Sequence, residues 1–209
     1  MQTSFSRFGG ISAIIVGVLS ILYAIFFLGV TRQSEYVGSL GSWVILAVSG
    51  LFSSAAYVAI YQRLRGKEEN GFALWALLLG TLAAFATLLH GMYETQLLLT
   101  SAAGTAAEKS AIAAANLLPS EVDASGVAAF FVVGVVAFLF SRLILQTGTL
   151  PKNLAYLGML NALLLVVLFV ARTFAVVPLI LLAGGLTSVI AGPIWWIWMG
   201  RELLKGQPA

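Results

Sequence analysis

The densest run of chemically capable side chains in this sequence is LLHGMYET, ending an otherwise apolar stretch. His90, Tyr93 and Glu94 stand at i, i+3 and i+4, so a helix carries all three on one face. An imidazole and a carboxylate so spaced can share a proton or supply two ligands to a metal. A hydrolytic metal site needs three protein ligands and an open position, and no third ligand is evident in any apolar run. His90 is the only histidine and there are no cysteines. That removes bis-histidine haem, thiolate nucleophiles, disulfides and cysteine-held zinc or iron–sulfur centres. No cofactor is therefore predicted, although His90 alone could ligate a single pigment or haem; Met92 points to another face and makes a poor partner. A phosphate loop, a GxSxG elbow and an HExxH pair are all absent.

Two further polar residues complete the candidate ligand-binding set. Asn161 is the lone carboxamide within the apolar runs, and its simplest role is an interhelical hydrogen bond, typically about 0.6 kcal/mol. Arg172 follows the fifth run and either pairs with Glu94 across one face of the protein or stands solvated in a loop. A helix entering at Phe72 carries His90 about 27 Å along its axis, which is the boundary of a hydrocarbon layer roughly 30 Å thick. Polar residues at a boundary need no function, so interfacial hydrogen bonding is the preferred reading of His90, Tyr93 and Glu94. No Asp, Glu, Lys or Arg falls at the middle of any apolar run, where ion-coupled transporters carry charge.

The elements that must hold these residues follow from composition. Of 209 residues, 60% are hydrophobic and 9% charged, with mean hydropathy +1.01. A water-soluble domain carries about 25% charged residues, so this surface faces lipid. The formal charge of +3 is too small and dispersed for nucleic-acid binding. Six runs are long enough to span a bilayer: residues 8–30, 41–61, 72–93, 127–141, 154–171 and 177–200. The first is too long for a signal peptide and lacks a convincing cleavage site, so it reads as a retained helix. The fold class is thus an all-α polytopic membrane bundle, a single domain over residues 1–209. Lys and Arg set its orientation. Arg7, Arg63, Arg65, Lys67, Arg142, Lys152, Arg201 and Lys205 fall on the side of the termini, against Arg32, Lys109 and Arg172 opposite. Both termini are expected in the cytoplasm. Trp75, Trp195, Trp196 and Trp198 fit an inner aromatic belt, and Trp43 an outer one.

Helices in lipid associate through close backbone approach at small residues. Ala76, Gly80 and Ala84 form one four-residue ladder and Gly184, Ser188 and Gly192 another, which points to the third and sixth helices as central. Shorter pairs are Gly50 with Ser54 and Gly158 with Ala162. Pro193 is expected to kink the last helix. In the outer loop, residues 95–126, the Ala-rich first half reads as a surface helix ended by Pro119, with Ile112, Leu117 and Leu118 as a thin apolar face and a disordered loop as the alternative. Ser120 to Gly126 reads as a turn.

The length, the six spans, the basic turn from Arg63 to Lys67 and the closing stretch GPIWWIWMGRELL (Gly192 to Leu204) resemble the bacterial six-helix family catalogued as domain of unknown function 4386. The resemblance implies this fold and a bacterial inner-membrane location. It implies no activity, so no catalytic residue is carried over. Three functions stay open. The leading one is a structural or accessory subunit contacting itself or other membrane subunits. The second is a small-molecule or lipid transporter or binding protein, with an outward-facing pocket between helices 3, 5 and 6 lined by Asn161, His90, Tyr93 and Glu94. The third is an enzyme acting on a lipid or quinone through His90 and Glu94. Membrane lipids are partners in all three.

Overall fold

The computed structural model describes residues 4–65, 70–102, 104–117, 123 and 126–205. Lys67, Leu118, Pro119, Glu121 and most of the turn expected from Ser120 to Gly126 lie outside the described residues. Every regular element among the described residues is helical. Six helices are long and apolar enough to cross a membrane: α1 Ser4–Arg32, α2 Glu35–Leu64, α3 Asn70–Ser101, α5 Ala128–Thr147, α6 Lys152–Thr173 and α7 Val177–Leu204. Between α3 and α5 lies a short helix, α4 Thr105–Leu117. It is the helix expected from the Ala-rich loop, and it packs on α3 and α2 through a thin face whose one buried residue is Ala111.

Helix ends follow local chemistry. Ser34 begins α2 by accepting the Val37 N–H at 3.4 Å, with Glu35 in the first turn, where a carboxylate complements the helix dipole. α5 continues beyond the expected end at Ser141. The residues after it are still apolar, and Arg142 lays its guanidinium 4.8 Å from the centre of the Phe72 ring, a cation–π contact that lets the charge stay on a helical face. Gly148 finally stops α5 in the left-handed conformation, φ 62°, with its N–H on the Ile144 carbonyl. α6 ends through the same kind of turn with a less suitable residue: Ala175 sits at φ 54°, and the Val176 N–H reaches the Ala171 carbonyl at 2.8 Å.

The six long helices form a closed ring. Each packs against its neighbours in sequence, and α7 closes on α1. The third and sixth spans, α3 and α7, are therefore no more central than the others, contrary to the ladder argument. Helix crossings depend on backbone approach at glycines on several helices. A Cβ on Gly200 would stand 2.5 Å from the Gly10 carbonyl oxygen where α7 meets α1, and one on Gly91 would stand 2.6 Å from the Trp43 carbonyl oxygen where α3 meets α2. Ala76, Gly80 and Ala84 are all buried, and Gly80 lies against the Tyr57 ring. The Gly184, Ser188, Gly192 ladder is broken. A π-helical turn occupies Leu186–Ala191, so four-residue spacing no longer keeps one face, and of the three only Gly192 is buried. The cause is adjacent. Pro193 has no N–H for the carbonyl four residues back, and the Gly192 N–H bonds the Thr187 carbonyl five residues back. The irregularity expected at the proline is formed in the turn before it.

Up-and-down order places both chain ends at one end of the ring and α4 at the other. The half near the termini holds an aromatic and aliphatic core of fully buried Tyr57, Ile60, Phe140, Ile144, Leu154, Trp195 and Met199. The Tyr57 ring lies 6.0 Å from Phe140 and 5.4 Å from Trp196.

Candidate functional site

Above that core, toward α4, the ring encloses a cavity of about 110 Å³. All six long helices line it. Ser20 comes from α1, Ser49 and Ser53 from α2, Thr87 from α3, Phe130 and Val133 from α5, Asn161 from α6, and Thr187 and Ser188 from α7. No Asp, Glu, Lys, Arg or His is among the lining residues. The floor is closed, because Val16, Ser53, Tyr57 and Trp196 are each buried. Ser20, Tyr23, Ser49, Phe130 and Ser188, farther toward α4, are partly exposed. The cavity thus has its base on the aromatic core, and its partly exposed lining residues lie toward α4.

The polar lining is oriented by the helices themselves. Ser20 donates to the Val16 carbonyl at 2.9 Å, Ser53 to Gly50 at 2.9 Å and Thr87 to Ala83 at 2.8 Å. This back-bonding is the usual habit of hydroxyls inside helices. It consumes the protons and leaves the oxygen lone pairs as acceptors. Asn161 departs from expectation: it is 3% exposed, and its Oδ1 has no hydrogen-bond partner among the described residues, so the interhelical bond does not form. The Thr187 Oγ1 is likewise unpartnered. A buried polar group without a partner costs about 1–3 kcal/mol.

The His90 face is a separate locus. α3 runs on to Ser101, and α4 packs over α3 and α2, so His90 and Glu94 are buried at 8% and 4% exposure rather than solvated at a boundary. Trp43 turns inward onto His90, with ring centroids 5.7 Å apart and an interplanar angle of 86°, instead of serving as an outer belt. Tyr93 is exposed. Arg172 is exposed too, and no ion pair joins it to Glu94; the Glu94 Oε2 has no partner among the described residues. The structure therefore separates the candidate set. Asn161 enters the cavity, His90 and Glu94 share a neighbouring buried face, and Arg172 joins neither. The described residues contain no group of three or more His, Cys, Asp or Glu placed to hold a metal.

Sequence reasoning missed Asp123. Its two carboxylate oxygens accept the Ala128 and Ala129 N–H groups at 3.0 and 2.9 Å, capping the start of α5 where the helix dipole favours an anion. That cap folds the chain back toward His90, so that a Cβ on Gly126 would lie 4.0 Å from the His90 Nε2. The legible signal was an acidic residue just before an apolar helix. Ser20, Ser49, Ser53, Thr87 and Thr187 were also missed, since each stands alone in an apolar run and only the ring brings them to one depth. A second concavity lies between α2 and α3, a shallow apolar groove lined by Val44, Val48, Met92 and Leu99. Comparison with protein-family models, curated proteins and solved structures finds no match to this chain.

Proposed function

We propose that this chain is a multi-pass protein of the bacterial cytoplasmic membrane that binds a small molecule in its central cavity and admits it from the outer face. The observation that carries the reading is Asn161, a buried carboxamide that bonds no other helix and lines a cavity closed toward the termini. An apolar side chain there would seal the bundle without the cost of an unbonded amide. A carboxamide is accounted for by an occupant that bonds it. The bias of Lys and Arg, eight on the terminal side against three opposite, supports cytoplasmic termini and an outward mouth.

The accessory-subunit reading rests on the lack of an evident site; the cavity offers a candidate and favours binding. His90 and Glu94 are not among the residues that line the cavity, so the cavity lends no support to the lipid or quinone enzyme. The test is an experimental structure of protein purified gently from native membrane, with mass spectrometry of what co-elutes. Non-protein density bonded to Asn161 is the expected result. A collapsed cavity, with Asn161 bonded to another helix, overturns the proposal.

A further inference from the structure

We infer that the ligand of the central cavity is a small uncharged hydrogen-bonding molecule, of the polyol, amide or urea class. The inference rests on the binding reading above and specifies its chemistry. Its basis is a lining that offers hydrogen bonds without charge. Ser20, Ser53 and Thr87 spend their protons on their own helix carbonyls and offer only lone pairs to the cavity. The Asn161 Oδ1 adds an unpartnered acceptor nine-tenths and more buried. The amide N–H groups of Asn161 and the hydroxyls of Ser49, Thr187 and Ser188 add donors to the lining, so an occupant satisfies it by both donating and accepting.

Charge and size narrow the class. With no ionisable His, Lys, Arg, Asp or Glu on the lining, an ion entering would lose its hydration with no counter-charge, the most costly way to fill a low-dielectric site. A neutral polar solute loses only hydrogen bonds that the wall replaces. The volume of about 110 Å³ is several times the roughly 10–15 Å³ that one water requires. That admits a urea- or acetamide-sized solute.

The absence of native cysteine permits a direct test. Ser188→Cys places one thiol on the cavity wall, and Ser110→Cys, on the exposed face of α4, serves as control. Alkylation by a membrane-impermeant maleimide is timed in intact cells or right-side-out vesicles, with acetamide, glycerol, formate or methylammonium as probes. Acetamide and glycerol are expected to slow labelling of the cavity thiol, roughly twofold at the concentration that half-fills the site, without slowing the control. Asn161→Leu and, separately, Thr187→Val should weaken this protection while leaving the unprotected labelling rate in place. Protection by formate or methylammonium equal to that by the neutral probes overturns the neutral class but leaves the binding cavity standing. Protection by none of the four, or protection indifferent to both substitutions, also overturns it. A Ser188→Cys thiol that never reacts, in protein whose control thiol does, removes the open cavity and the proposed function with it.

Discussion

The two halves of the ring are built from similarly apolar helices and do opposite things. Near the termini, large side chains fill the centre: Tyr57 stacks on Phe140, Trp195 meets Trp196 edge to face, and Ile60, Ile144 and Met199 close the gaps. Near α4, the positions at the same radius carry Ser20, Ser49, Thr87, Asn161 and Ser188, while large residues such as Leu28, Phe85, Leu163 and Leu181 point outward and are exposed. Both halves present apolar side chains on the outside. They differ in the volume and polarity directed inward, and that difference alone makes one half a plug and the other a vessel. The irregular backbone follows the same division. π-helical turns occur at Ile25–Gly29 in α1 and Leu186–Ala191 in α7, both toward α4. Such turns frequently mark functional positions.

The contrast can be broken at either end, with effects that fall in order of size. Phe140→Ala, at a position with no exposure, empties the plug and should cost about 3–5 kcal/mol, read as a lowered midpoint for unfolding in a denaturing detergent. Gly200→Val forces side-chain atoms against the Gly10 carbonyl and should separate α1 from α7, costing about 1–3 kcal/mol in the same assay. Asn161→Leu acts in the other half and in the other direction. It removes an unbonded amide, so stability should hold or rise by about 1 kcal/mol even as ligand protection is lost. A large destabilisation there would mean that Asn161 is structural. Ala175→Gly, in the loop joining α6 to α7, relieves the left-handed strain at φ 54° and should add about 0.5–1 kcal/mol without altering labelling of the cavity.

The number and approximate limits of the spans were legible because hydrocarbon thickness imposes a long uncharged run on every crossing helix. The α4 helix was legible from Ala-rich composition. Ring order was not, since small-residue ladders show that a helix packs closely but not against which partner; Gly10 and Gly200 meet across most of the chain length. Of the candidate site, Asn161 stood out as the lone carboxamide in a span; it lines the cavity, and the interhelical bond expected of it does not form among the described residues. His90 and Glu94 drew attention as the most polar group, yet their burial depends on α4 and the Asp123 cap, which are tertiary facts. The hydroxyl lining was hidden because a single Ser or Thr in an apolar helix is ordinarily absorbed by its own backbone. Only several at one depth around a closed ring make a site.

The central claim is that the α4 half is open to the outer medium and the terminal half is sealed. Two single-cysteine proteins test it: Ser49→Cys on the cavity wall and Ser141→Cys beside the plug, where the native serine is fully buried. Each is exposed to an impermeant maleimide from outside right-side-out vesicles and, separately, from outside inverted ones. The account predicts that the thiol at position 49 reacts from the outer side alone and that the thiol at position 141 resists from both. Labelling at 141, or labelling at 49 from the cytoplasmic side, would contradict it.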